Sequence, residues 1–519
     1  MNIEIYLDAN ATSPVLPAAI QAAQAALRQC FGNPSSSHAA GLRARALLDD
    51  VRSRARRVLG VQDGRVIFNS GATEGIQTAV LSSLCALRAR RAAGLPCGDL
   101  LLYGATEHKA VPESLAHWNA LLGTGLTLQA LPVDAGGRHR LDVLRELAPR
   151  TALLCTMAAN NETGVVSDLD GIAAVLEETG SAALWMVDCV QALGKLPLAL
   201  SKTRIDYAPF SGHKLYAPKG IGMLYVRDGA PYTPLLCGGG QEAGQRAGTE
   251  NMAGIAALGA VLRALEEGAT FRSHAQLLAM RARLVASLRA AFPGIAFNAP
   301  FDHALPTTLN FTVPGRSGKA LLDLFDAAGI RVSAGSACSA AQAAPSYVLV
   351  AMGLPHERCA NAVRMSFGPL ADEAFIDAAC ARIARCGQAL LAPPPAACPV
   401  TGSGAMPAAP ALPASAVAPC ALDAQGLAIF LDAHPNALLV DVREACEHAL
   451  GTPRLHGRAA YSLPLSRLPE HAAWLGRETR PLVFFCRSGS RSAQAARIAG
   501  ELGHATVRHL AGGLALLVP

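Results

Sequence analysis

The chain has 519 residues, 51% of them hydrophobic and 16% charged, with a formal net charge of +6. That length predicts about three domains with ample apolar material for large cores. The positive charge is spread as single arginines, which argues against nucleic-acid binding, and no run of about 18 apolar residues predicts a membrane span. Met1-Asn2-Ile3-Glu4 opens no signal peptide. The 14 cysteines form neither a regular framework nor a Cys-x-x-Cys pair. A cytoplasmic protein with reduced thiols and no metal is the expectation.

In chain order, residues 3–7 predict a strand, 8–14 a turn, and a helix starts near Pro17. Residues 31–38 form a loop dense in turn residues, and the next helix runs to about Leu59. Strand-like runs then follow at 65–69, 99–103, 127–132, 152–157, 183–187, 205–210 and 221–226. Helical stretches such as 75–91 and 168–178 separate most of them. This alternation predicts a mainly parallel α/β sheet, whose ligands sit beyond the carboxyl ends of its strands.

The loops at those ends carry the chemistry. Ser70-Gly71-Ala72-Thr73-Glu74 follows a strand and opens a helix, so its N–H groups and the helix dipole suit a phosphate. His108, in Glu107-His108-Lys109, either stacks on a flat ring or is a polar loop residue. Asn161, in Asn160-Asn161-Glu162, either holds a ring hydroxyl or makes a turn. Asp188 ends an apolar strand; it is either a helix N-cap or the partner of a buried cation. Lys214, in Ser211-Gly212-His213-Lys214, ends the next strand. A desolvated lysine attacks an aldehyde, which is how pyridoxal phosphate is held as a Schiff base. A protonated pyridine nitrogen is the cation that would pair with Asp188. Arg246-Ala247-Gly248-Thr249-Glu250-Asn251 then opens a helix to about Glu267, and Thr249 could meet a phosphate across a dimer interface.

After residue 268 the pattern changes to a smaller α+β unit, with helices near 274–290, 319–328 and 372–391 and strands near 307–313 and 330–332. Cys338 stands in a stretch of Ser, Gly, Ala and Gln, which predicts an accessible thiol in a mobile loop. Arg364, on a short apolar strand, suits bidentate binding of a carboxylate or a strand-edge ion pair. Residues 391–420 are rich in Ala and Pro and read as a flexible linker. From 421 a third unit begins, with a helix at 424–433 and strands at 437–443 and 481–485. Cys486-Arg487-Ser488-Gly489-Ser490-Arg491-Ser492 precedes a helix, so loop N–H groups, the dipole and two arginines favour a thiolate or persulfide at Cys486.

Taken together, these motifs resemble those of cysteine desulfurases, the fold-type-I pyridoxal phosphate enzymes related to class V aminotransferases. The resemblance covers residues 1–390 and rests on Tyr6-Leu7-Asp8, Gly32-Asn33-Pro34-Ser35-Ser36, Ser70-Gly71-Ala72-Thr73-Glu74, Thr106-Glu107-His108, Asn160-Asn161-Glu162, Val187-Asp188, Ser211-Gly212-His213-Lys214, Arg246 to Asn251 and Gly335-Ser336-Ala337-Cys338. It implies a large cofactor domain at about 15–265 and a small one at 1–14 and 266–390. It implies that Lys214 forms the Schiff base, Asp188 pairs the pyridinium and His108 stacks on the ring. Gln191 and Asn161 lie by the ring oxygen. Ala72, Thr73, Ser211 and His213 hold the phosphate, and Thr249 reaches over from the second copy of a homodimer. Asn33 and Arg364 face the substrate carboxylate, and Cys338 takes sulfur from L-cysteine. Ala9 and Gln77 depart from the family, which often has Asn at both positions.

Residues 421–519 resemble a rhodanese domain through Asp441-Val442-Arg443-Glu444 and the Cys486 loop, with Arg487, Gly489 and Arg491. Its six residues from Cys486 to Arg491 suit a persulfide, where related phosphatases have one more to cradle phosphate. The resemblance implies a desulfurase tethered to its own sulfur acceptor, passing sulfur from Cys338 to Cys486 and on to an acceptor protein or thiol. The destination stays open between iron–sulfur clusters, transfer-RNA thiolation, thiamine and molybdopterin. Two alternatives stand beside this reading: a selenocysteine lyase on the same scaffold, and a rhodanese unit that only binds partners.

Overall fold

The computed structural model describes residues 4–335, 344–391 and 421–517. Cys338 and the Ala/Pro-rich stretch beyond residue 391 lie outside the described residues.

The first unit is built on a seven-stranded sheet. Across it the strands are Arg65–Asn69, Gly222–Val226, Tyr207–Ser211, Leu184–Asp188, Thr151–Met157, Leu100–Gly104 and Thr127–Leu131. Only Gly222–Val226 runs against its neighbours, as expected for a mainly parallel sheet. Strand Thr151–Met157 is buried along its whole length, which explains its unbroken apolar reading. Trp185 and Tyr207 fill the layers on either side of the sheet. Between strands, helices Ala72–Ala92 and Leu169–Glu178 return the chain to the far edge. The expected helix after Asp188 does not form. Residues 190–195 turn instead, and Asp188 Oδ1 accepts from the Val190 N–H at 2.9 Å.

The second unit has a four-stranded antiparallel sheet in the order Ser333–Ala334, Val363–Ser366, Thr308–Thr312 and Ala296–Phe297. Helices His274–Ala291 and Glu373–Leu391 pack together against it through one apolar cluster. A capping box of Ser273 and Gln276 starts the first of these helices. The N-terminal strand shortens to Ile5–Tyr6 and pairs with Ile330–Arg331, so the start of the chain belongs to this unit.

The C-terminal unit is a five-stranded parallel sheet ordered Ala421–Leu422, Val507–Leu510, Leu482–Phe485, Leu438–Asp441 and Tyr461–Ser462. Helix Ala424–Ala433 starts at Asp423, whose carboxylate accepts from the Gly426 N–H. Among the described residues no helix is long and apolar enough to cross a membrane.

Candidate active site

The carboxyl ends of the parallel strands open on a cavity of about 460 Å³. Ala72, Thr73, His108, Asn161, Asp188, Gln191, Ser211, His213, Lys214 and Arg364 all line it. They come from distant parts of the chain because the sheet stacks its strand ends along one edge. Asn33, expected there, is not brought to it; Thr249, expected to reach over from a second copy, lies outside its own chain's cavity. Asn33 is exposed, and its Oδ1 accepts from the Ser35 N–H at 2.8 Å. Thr249 lines a neighbouring hollow with Ser70 and Gly220.

Helix Ala72–Ala92 starts at this cavity without a side-chain cap, leaving its first N–H groups for a ligand. Gly71, at φ 151°, allows the close turn, and Ser211 Oγ stands 3.7 Å from where a Cβ would be. Lys214 lies in the turn after Tyr207–Ser211, and its Nζ donates to the carbonyls of Asn10 and Ala11 at 2.7 Å each. Burial, reinforced by Lys214 and Lys219, lowers the His213 imidazole to about 4. Its Nδ1 sits 3.2 Å from Thr12 Oγ1.

Several charged groups sit deep in the site. Burial raises the Asp188 carboxyl and lowers the His108 imidazole. Glu107, beneath them, is driven well up by burial and by Asp188. Arg364 is 2% exposed. It donates to Asp8 Oδ1 at 2.6 Å, Ser333 Oγ at 2.8 Å and the Asn161 carbonyl at 3.1 Å. Among the described residues its Nε is buried without a hydrogen-bond partner, as is Asn161 Oδ1.

Sequence reasoning passed over Lys195 and Glu162, and gave Asn10 no role. Lys195 is buried, donating to Gln191 Oε1 at 2.6 Å and Asn10 Oδ1 at 3.1 Å. Burial lowers its ammonium to about 7, helped by Lys214 and Arg364. It thereby fixes the Gln191 side chain, whose Nε2 donates to the Asn10 carbonyl. The one local signal was the four-residue spacing of Gln191 and Lys195. Glu162 Oε2 accepts from Ser346 Oγ at 2.6 Å, tying the strand-end loop to the start of helix Tyr347–Ala351.

The second thiol site lies in the C-terminal unit. Cys486 is fully buried at the end of strand Leu482–Phe485. Its Sγ accepts from the Gly489 N–H at 3.2 Å and the Ser492 N–H at 3.4 Å. Gly489 has φ 90° and lets the loop close at the N-terminus of helix Ser490–Glu501. Beneath it, Asp441 pairs with Arg443 at 2.6 Å. Burial opposes the Asp441 charge, but hydrogen bonds from His448 and Arg443 hold its carboxyl below the usual range.

The class-V aminotransferase family matches residues 5–378, and the rhodanese-like domain matches residues 428–517. A cysteine desulfurase of Gluconacetobacter diazotrophicus is 39% identical over 375 residues, covering 72% of this chain and 90% of that protein. The cysteine desulfurase NifS of Azotobacter vinelandii is 36% identical over 378 residues, covering 72% and 90%. A solved NifS-like protein superposes with a TM-score of 0.66 at 32% identity, over 75% of this chain and all of that one. The structure of SspA in complex with cysteine matches with a TM-score of 0.60 at 28% identity, over 71% and 99%. The chain belongs to the class-V aminotransferase family and carries a C-terminal rhodanese-like domain. Within that family it is a pyridoxal phosphate enzyme of fold type I, similar to the cysteine desulfurases.

The cavity fits that cofactor. An uncapped helix start and Ser211 suit its phosphate. Asp188, whose carboxyl is raised by burial, suits a protonated ring nitrogen. Asn161 Oδ1, buried and without a partner among the described residues, suits the ring hydroxyl.

Burial raises the Glu162 carboxyl from the ordinary 4.5 to about 7, against the opposing pull of Ser346 and Arg364. The unfolded chain loses this proton first, so the stability the group confers is full below 4.5 and is lost as pH rises to about 7. Glu162→Gln removes that slope. Between those pH values the unsubstituted protein should lose up to about 3 kcal/mol more stability than the variant. Urea unfolding followed by tryptophan fluorescence measures this; parallel pH profiles would show that Glu162 titrates normally.

Proposed function

We propose that this chain is a cysteine desulfurase that passes sulfur to its own rhodanese domain. The observation that carries the first half is the meeting of Lys214, Asp188, His108 and Arg364 around one cavity. The proposed limits are residues 1–390 for the desulfurase, 391–420 for the linker and 421–519 for the rhodanese domain. Within the first, the large cofactor domain is 15–265, and 1–14 with 266–390 make the small one.

When bound, the cofactor supplies an electron sink for charge at the substrate α-carbon. Lys214 Nζ holds the cofactor before substrate arrives and then moves a proton at that carbon. Asp188 would hold the ring nitrogen protonated, and Gln191 and Asn161 would hold the ring oxygen. His108, whose imidazole is lowered by burial, would stack on the ring. Ala72, Thr73, Ser211 and His213 hold the phosphate. Arg364, whose Nε has no hydrogen-bond partner among the described residues, would take the substrate carboxylate. The Cys338 thiolate takes the cysteine sulfur as a persulfide, and L-alanine leaves. Cys486 then receives the terminal sulfur by attack on that persulfide, regenerating the Cys338 thiol, and delivers it to an acceptor protein or thiol.

Thr249 lines a hollow with Ser70 and Gly220, and in a homodimer it would reach the phosphate site of the second copy. The sparse charge and reduced thiols fit a cytoplasmic enzyme. A linker of roughly 30 residues puts the acceptor thiol at an effective concentration of about a millimolar, so transfer needs no tight docking.

Lys214→Ala should abolish the visible absorption of the bound cofactor and slow alanine formation from L-cysteine by about 10³-fold or more. Arg364→Lys should raise KM for L-cysteine by about tenfold to a hundredfold, because a point charge replaces the fork. Cys486→Ser should keep alanine formation and lose cysteine-derived sulfur from residues 421–519. Labelled sulfur still reaching that unit would sink the relay.

A further inference from the structure

The Cys486 loop exposes Ser488 and Ser490 but turns its arginines toward the second unit. Its two arginines meet helix Gly318–Ala327 of the second unit. Arg487 Nη1 lies 2.8 Å from Asp323 Oδ1. Arg487 Nε lies 2.9 Å from Asp326 Oδ2, an ion pair lacking a hydrogen bond's alignment. Arg491 Nη2 lies 3.5 Å from Asp323 Oδ2, while its other arm pairs with Glu447 at 2.5 Å. Beside these pairs, Cys446 and Leu450 pack on the apolar core of the second unit, and Arg385 donates to the Leu450 carbonyl at 3.2 Å. Asp323 is 7% exposed.

A loop that gathers N–H groups, a helix start and two arginines is an anion receptor. Here its arginines are occupied by carboxylates of the same chain, and the thiol at its base is fully buried. We infer that the Asp323 and Asp326 edge of helix Gly318–Ala327 is a docking surface for the rhodanese loop, holding Cys486 shielded until these ion pairs separate. The carboxylates stand in for the anion the loop would otherwise take, so an oxyanion donor and this helix compete for the same guanidinium groups. The tight docking is a closed state, and sulfur transfer to or from Cys486 proceeds from the released one. Glu447 holds Arg491 in both states, because it belongs to the same unit as the loop.

This inference rests on Cys486 being the reactive thiol of its domain, and its test reads how available the Cys486 thiolate is, independent of any sulfur it carries. The test is the rate at which iodoacetamide, an uncharged reagent, alkylates Cys486 in the full-length holoprotein, read by peptide mass spectrometry. With Asp323→Asn and Asp326→Asn combined, the rate at low salt should rise by roughly fivefold or more, the scale for losing a small ion-pair network. Salt at about 0.5 M should speed alkylation of the unsubstituted protein by screening the pairs, and leave the double variant unchanged. Alanine formation should be the same in both proteins, since neither aspartate lines the cavity. Equal alkylation rates at low salt would overturn the inference. So would a salt-independent rate in the unsubstituted protein, a measurement that needs no variant to fold.

Discussion

Residues 8–13 cross between the two sheets of the desulfurase-like region, and the site depends on how they are pinned. Asp8 takes Arg364, the Asn10 carbonyl takes Lys214 and Gln191, and the Asn10 amide reaches Thr308 and Asn161. Ser13 Oγ donates to the His213 carbonyl and accepts from the Tyr216 N–H. One short segment therefore positions groups from the strand ends of one sheet and the middle of another. Each bond spans 150 residues or more, so its loop-closure cost is met only because the flanking cores are already packed. Ala9, where related enzymes often have Asn, lies within this segment and is buried.

The cavity concentrates desolvated charge. Asp188, Glu107, Glu162, Lys195 and His213 are each shifted toward their neutral forms, with burial the leading cause in every case. Such a site is costly in isolation and becomes favourable when a ligand with complementary charges fills it. A phosphate and a protonated ring nitrogen are those charges, which explains why a cavity with both signs of buried group stays folded around a cofactor. Lys195 adds a support: it orients Gln191 without lining the cavity itself.

The C-terminal unit repeats the same design in a smaller form. A parallel sheet ends in a loop, a glycine with positive φ lets the loop close, and a helix start faces the thiol. The two sites differ in surroundings. The first unit's cavity is open to substrate, whereas the Cys486 loop lies against acidic side chains of a neighbouring unit. Acidic side chains of the second unit thus pair with both arginines of the Cys486 loop.

By itself the sequence determined the strand and helix alternation, the three compositional regions and most of the cavity lining. These are local properties: apolar periodicity marks each element, and in a parallel sheet every strand-end loop falls on one edge, so Ser70 to Glu74, Asp188 and Lys214 had to converge. Only the tertiary structure decided the rest. It placed Asn33 outside the cavity, left Asp188 without the helix that would have made it a cap, put Lys195 behind Gln191, and set Arg487 against Asp323. Those outcomes depend on contacts between distant segments, and no period or spacing along the chain encodes which charged side chain a buried group will meet.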